Sequence, residues 1–300
     1  MVTYAAETHC GLVRSLNEDC YEADPDVGLW LVADGVGGHA GGEIASELTR
    51  ATIKEVFHRT GDLRAAIEAA HAAVLDAIRR GDGSSNMGST VVALALRGRD
   101  YEIAWVGDSR AYLWDGRLTL LTRDHSLVET LLAKGIINAD EAFNHPKRNI
   151  ITQSIGVTPD HALRVDSISG VLRPGQRLLL CSDGLNDEIR EREIAERLAA
   201  ASSLQEQVAS LLQGSLTAGG RDNVTLIIVD PELERGGALE SAGVAPPDPG
   251  ASRAAAGQPR AAPDLDRHTL VVPAAPPATD ATPRGVRGAL GRLFSTKKVK

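Results

Sequence analysis

Cysteine is scarce in this chain: Cys10, Cys20 and Cys181 are the three in 300 residues, with no Cys-x-x-Cys pair and no Cys/His cluster. That excludes a disulfide framework and a zinc site of the usual spacing, and it fits a reducing cytoplasm. Long apolar runs are missing too. No stretch approaches the roughly 18 apolar residues of a membrane span, and the N-terminus has no basic segment followed by an apolar core, so neither membrane insertion nor secretion is expected. Positive charge is the third shortage. The net charge is −8, and residues 1–230 hold 22 Lys/Arg against 33 Asp/Glu. Nucleic acid is therefore not an expected partner, because phosphate contacts need clustered cations. An acidic body suits cations instead.

A hydrophobic content of 43% over this length can bury a substantial core. The pattern breaks after Val229-Asp230-Pro231, and ten of the 14 prolines lie beyond residue 230. We expect one folded domain over 1–230 and an Ala/Pro-rich disordered tail over 231–300, which cannot bury enough apolar surface to offset its ordering entropy. The tail ends in a basic segment: residues 284–300 hold six Lys/Arg and no acid. Val286, Leu290, Leu293 and Phe294 share one helical face there, a pattern suited to weak contact with an acidic partner or an anionic membrane surface. Thr269 lies in an isolated β-prone patch of the tail, a candidate docking or phosphorylation segment.

Within 1–230 the apolar periodicity predicts strands near 3–8, 28–33, 89–96, 101–106, 110–114, 163–168, 176–182 and 223–229. Helices are predicted near 40–58, 63–80, 125–134, 191–200 and 203–217. Asp62 is a candidate cap for the second helix, whose Leu63, Ile67, Ala70, Val74 and Ile78 fall on one face. The turns joining 89–96, 101–106 and 110–114 are too short for crossovers, so these strands are expected to pair antiparallel. Helices segregated from antiparallel sheets indicate an α+β layered sandwich.

Four aspartates end apolar runs or sit in tight polar turns: Asp34 in LWLVADG, Asp108 in IAWVGDS, Asp183 in LLLCSDG and Asp222 in GGRDNVTLIIV. Each alone is an ordinary turn. Together they would bring several hard oxygen ligands to one place, which is what Mg²⁺ or Mn²⁺ requires. Arg14, Glu18 and Asp19 add a guanidinium and two carboxylates within six residues, the guanidinium being suited to a bidentate grip on phosphate. A rival reading exists, because residues 35–40 match the dinucleotide fingerprint G-x-G-x-x-A. Against it, a second helix follows where a parallel strand should, and Asp34 would repel a pyrophosphate. Cys181, inside an apolar run, reads as a small core residue.

In order, R-x-x-N-E-D (14–19), D-G-x-G-G-H (34–39), G-S-T (88–90), G-D-S-R (107–110), S-D-G-L (182–185) and R-D-N (221–223) resemble the metal-dependent Ser/Thr protein phosphatases of type 2C, in their compact bacterial branch. The resemblance covers about residues 3–230. It implies a four-layer α-β-β-α sandwich, two central mostly antiparallel sheets flanked by helices, and hydrolysis of phosphoserine and phosphothreonine by attack of a metal-bridging water. It further implies two or three Mn²⁺ or Mg²⁺ ions. Asp34 would bridge two of them, the Gly35 carbonyl would join one, and Asp183 and Asp222 would complete the other. Asp108 with Asp183 would match a third, weaker position. Arg14 would bind phosphate, and Glu18 and Asp19 would act on metal-bound water. Eukaryotic relatives carry a histidine, a proposed general acid, where this chain has Val36, which leaves His39 as a candidate proton donor. Residues 134–152 resemble the family's flap, in which His145, Lys147 and Arg148 would either meet an anionic phosphopeptide or form a merely solvated loop. Phosphorylated proteins, including a Hanks-type Ser/Thr kinase and its substrates, are the implied partners. Two other classes stay open at this point: a catalytically silent phosphoprotein-binding module of the same fold, and a dinucleotide enzyme.

Overall fold

A computed structural model describes residues 2–37 and 41–231. His39, Thr269 and the basic segment 284–300 lie outside the described residues. Along the chain run β1 (Thr3–His9), β2 (Asp19–Asp24), β3 (Leu29–Val36), α1 (Gly41–Thr60), α2 (Leu63–Arg80), β4 (Gly88–Ser89), β5 (Val91–Arg97), β6 (Asp100–Val106), β7 (Arg110–Trp114) and β8 (Leu118–Leu120). There follow α3 (Leu127–Ala133), α4 (Ala139–Phe143), β9 (Asp166–Val171), β10 (Arg177–Cys181), α5 (Asp183–Asn186), α6 (Glu191–Ala200), α7 (Leu204–Ala218) and β11 (Val224–Asp230).

The strands form two sheets, ordered β1-β11-β10-β7-β8 and β2-β3-β5-β6-β9, with β4 attached to β3. Alternation along each strand explains why both sheets are buried on two faces. In β3, Leu29, Leu31 and Ala33 pack under α1 and α2, while Trp30 and Val32 turn toward the other sheet. In β11, Val224, Leu226 and Ile228 pack under the helices that follow β10, while Ile227 and Val229 meet the sheet that contains β3. Three stacked apolar cores thus separate four layers, the α-β-β-α sandwich expected. The α2 helix forms as its sequence dictates. Its Ala65 N–H donates to Asp62 Oδ1 at 3.0 Å, Leu63, Ile67, Ala70 and Val74 are buried, and Gly81 ends it at φ 80°.

One expected pairing is wrong. β5 and β6 form a hairpin, with Arg97 opposite Asp100, but β6 does not pair with β7. The short link Gly107-Asp108-Ser109 instead carries the chain from one sheet to the other, and β7 pairs with β10. A three-residue link serves a hairpin or a step between stacked sheets equally well, and the apolar pattern is the same in both. The strand expected at 163–168 lies at 166–171, and β2, β8, α4 and α5 were not foreseen. No parallel pairing occurs among the described strands, which removes the dinucleotide reading, since that motif needs a β-α-β unit. No helix of the described residues is long and apolar enough to cross a membrane.

Candidate metal centre and active site

The strand alternation that places Trp30 and Val32 between the sheets also places Asp34 on that face, two residues further along, where the inter-sheet core opens. Asp19 stands directly opposite Asp34 across the β2–β3 ladder. Like charges so paired repel. From the sheet of β10 and β11 come Asp183, first residue of the one-turn α5 after β10, and Asp222, just before β11. Asp108 arrives on the link between the sheets. Asp34, Gly35, Asp108, Asp183, Asp222, Glu18 and Arg14 all line one cleft of about 880 Å³. The sequence-predicted residues that are described are thus brought together, with Asp19 just beneath the surface at 8% exposure.

Hydrogen bonds fix this arrangement. Asn223 is its organiser: its Oδ1 accepts from the Glu18 N–H at 2.8 Å, and its Nδ2 donates to the carbonyls of Leu16 and Cys10 at 2.9 and 3.0 Å. The loop bearing Arg14 and Glu18 is thereby stitched to the strand bearing Asp222. Ser182 Oγ donates to Asp19 Oδ2 at 2.8 Å while accepting from the Thr225 N–H at 3.0 Å. Two glycines are required by space. A Cβ on Gly35 would lie 2.2 Å from the Gly42 carbonyl oxygen, and one on Gly184 would lie 1.9 Å from that of Asn223. Asn223→Ala would leave three backbone groups without their partner. It is expected to cost about 3 kcal/mol, read from denaturant melts, and to weaken Mn²⁺ binding.

The electrostatics are those of negative charges crowded out of water. Burial, then the neighbouring Asp19, Asp183, Asp108 and Asp222, hold the Asp34 carboxyl well above its usual range. Burial and then Asp108, Asp187, Asp222 and Asp19 do the same to Asp183. Burial chiefly pushes Asp19 up to about 7, against the opposing bond from Ser182, and burial with Asp124 and Asp187 pushes Asp108 up to about 7. Buried oxygens Glu18 Oε1 and Asp19 Oδ1 have no hydrogen-bond partner. Unpaired buried carboxylate oxygens beside mutually repelling aspartates are a donor set that fits a hard divalent cation. Among the described residues, no three His, Cys, Asp or Glu side chains already stand close enough together to hold one ion. Two of these groups are engaged by other partners: Arg14 Nη2 donates to Asp222 Oδ2 at 2.7 Å, and Ser182 Oγ donates to Asp19 Oδ2 at 2.8 Å.

The flap residues behave differently from expectation. Arg148 turns inward to Asp187 at 3.2 Å and over the Phe143 ring, and the cleft wall is built by Asn149, Ile151, Thr152, Gln153 and Ser154 rather than by residues 145–148. Cys181 is fully buried, its thiol pushed up to about 12 by desolvation, as befits a core residue. Asn223 and Ser182 lay inside recognised motifs without an assigned task. Asp187, whose burial raises its carboxyl, lay outside them.

A sandwich of two antiparallel sheets with an acidic cleft at one end of their shared core defines a class of metal-dependent phosphatases. Residues 13–218 match the family model described as protein phosphatase 2C, and the chain belongs to that family. It is 36% identical over 237 residues to the serine/threonine protein phosphatase PstP of Mycobacterium tuberculosis, covering 77% of this chain and 45% of that protein. It is 33% identical to the serine/threonine phosphatase stp of Listeria monocytogenes, covering 77% and 96% respectively. A solved structure of the PstP catalytic domain in complex with two manganese ions superposes with a TM-score of 0.69 at 35% identity, covering 76% of this chain and 97% of that one. The chain therefore spans about half the length of PstP and nearly all of the Listeria relative.

Proposed function

We propose that this chain hydrolyses phosphoserine and phosphothreonine in proteins, using two Mn²⁺ or Mg²⁺ ions, with a third, weaker position. The observation that supports it most is the convergence of Asp34, Asp108, Asp183 and Asp222 from both sheets on one cleft with Arg14 at its rim. Asp34, the Gly35 carbonyl, Asp183 and Asp222 are assigned to the two principal ions, and Asp108 with Asp183 to the third. When bound, such ions neutralise charge on a phosphate ester and supply a nucleophilic water at neutral pH. Arg14, whose side chain is 52% exposed and donates through Nη2 to Asp222, has donors left over to grip a phosphate oxygen. Asp19, fixed through one oxygen by Ser182, keeps its other oxygen for orienting the attacking water's proton. Glu18 shares that task. His39 remains the candidate proton donor to the leaving serine or threonine.

The domain is taken as residues 1–230. A Hanks-type Ser/Thr kinase as the opposing enzyme follows from the family alone, as does a role in signalling. Cytoplasmic residence is supported by three cysteines that are all free. The decisive assay is phosphate release from a phosphothreonine peptide with Mn²⁺ and with chelator. Release confined to Mn²⁺ is expected. A folded chain that binds Mn²⁺ yet releases nothing would shift the assignment to a phosphoprotein-binding module.

A further inference from the structure

Asp108 stands on a link that is neither helix nor strand, so its carboxylate needs something to hold it. One residue grips the preceding Gly107 at both of its backbone groups. The Gly107 N–H donates to His125 Nδ1 at 3.1 Å, and the His125 N–H donates to the Gly107 carbonyl at 2.8 Å. His125 is 4% exposed, and its ring stacks on Trp105 with centroids 6.5 Å apart. A backbone N–H can only donate, so Nδ1 must be an acceptor and the proton of the neutral ring sits on Nε2. Nε2 lies 3.3 Å from Asp166 Oδ2, which takes that proton's hydrogen bond and so selects the tautomer. Arg164 in turn donates to the same Asp166 oxygen at 2.9 Å. Desolvation holds the imidazole below its ordinary pKa, keeping the ring neutral at neutral pH. On its other side the His125 carbonyl accepts from the Thr152 N–H at 2.7 Å, and Thr152 is part of the opposite wall of the acidic cleft.

We infer that His125, held in its Nε2–H tautomer by Asp166, is a positioning residue that sets Asp108 at a fixed spacing from the 149–154 wall around a bound divalent cation. The inference rests on the reading of Asp108 as a metal ligand. It places Asp166 and His125 among the outer partners that orient ligands, whose loss typically costs about 10–100-fold in metal affinity.

Asp166→Asn is the variant to make. The side chain is 29% exposed on an edge strand, so the fold should survive, which thermal melting checks. Arg164 donates to both Asp166 oxygens, so in Asp166→Asn it claims the amide oxygen and the amide N–H faces Nε2, which drives the ring proton to Nδ1 and leaves the Gly107 N–H without an acceptor. Nitrogen NMR of the imidazole is expected to show unprotonated Nδ1 in the native chain and protonated Nδ1 in Asp166→Asn. Mn²⁺ titration calorimetry on the full chain, on Asp166→Asn, on His125→Ala and on Asp108→Asn supplies the second readout. The binding event lost in Asp108→Asn is expected to weaken about 10-fold or more in the other two variants, with the remaining events within about twofold. An Nδ1–H tautomer in the native chain would overturn the inference, and so would an Asp108-dependent event that is unmoved in both variants. Asp108→Asn that removes no event would instead sink the metal role of Asp108, and the inference with it.

Discussion

Asp34→Asn is expected to lower Mn²⁺-dependent phosphate release from a phosphothreonine peptide by about 10³-fold, the upper scale for losing one preorganised electrostatic group. A neutral amide offers one weaker oxygen where the carboxylate offers two charged ones, so it cannot serve two cations at once. The same change is expected to stabilise the metal-free protein. Asp34 is opposed across the ladder by Asp19 and feels Asp183, Asp108 and Asp222 as well, so removing its charge relieves repulsion in the folded state. Activity and metal-free melting temperature should thus move in opposite directions. A substitution that merely damaged the fold would lower both. Asp222→Asn is the informative companion: it replaces the ion pair that orients Arg14 by a weaker hydrogen bond, so a loss of substrate binding should accompany the loss of turnover. Retained activity in Asp34→Asn would remove the proposed metal role of this residue.

The metal-free chain should become more stable as the medium is acidified from pH 8 to pH 5, because the four raised aspartates Asp19, Asp34, Asp108 and Asp183 outweigh the buried His71 and His125, whose lowered pKa acts in the opposite direction. Burial, foremost, raises Asp19 and Asp108 to about 7 when folded, against about 3.9 for an unfolded aspartate. Between those values the folded state holds protons that the unfolded state has released. Stability from these groups is therefore fully present below the unfolded value and is lost as pH rises through about 7. Even one pKa unit retained by each carboxyl would be worth about 3 kcal/mol together, on the order of 5–10 °C in melting temperature. Calorimetry in chelator from pH 5 to pH 8 measures this, and Asp108→Asn should flatten the slope. Mn²⁺ added at pH 8 should recover the lost stability, because it binds the folded state preferentially. A metal-free protein that melts lower at pH 5 than at pH 8 would contradict the electrostatic account.

The four aspartates were legible because three of them close, and Asp222 precedes, a run of residues buried on both faces, and such runs announce where a strand leaves or enters the core. Their organisers were not. Asn223 acts on Glu18 and Leu16, more than 200 residues away in sequence, and Ser182 acts on Asp19 across a separation of 163. A single polar residue carries no periodicity, so its task appears only once distant strands are adjacent. The same limit explains the misplaced hairpin. The apolar runs 101–106 and 110–114 are correct, yet nothing local says that one belongs to each sheet. β2 escaped notice because DCYEAD carries three acids. Glu22 is nonetheless buried and held by Arg50 and by Lys54 at 2.8 Å, so that compensation from α1 replaces the alternation a sequence reader looks for. α5 is a single turn, too short to display a helical period.

The proposed ligands are divided between the two sheets, Asp34 on one side and Asp183 and Asp222 on the other, and beside the Ser182–Asp19 and Asn223–Glu18 hydrogen bonds it is the packing of Trp30, Val32, Leu94, Leu178, Leu180 and Ile227 that sets how far apart those sides stand. The cleft consequently works as a calliper whose jaws are the sheets. A change of one methylene deep in that shared layer alters jaw spacing without touching any acidic residue, and cation affinity would register it before melting temperature did. Adaptation of such a protein to heat or cold has a natural lever there, in apolar residues that no survey of its acidic cleft would single out.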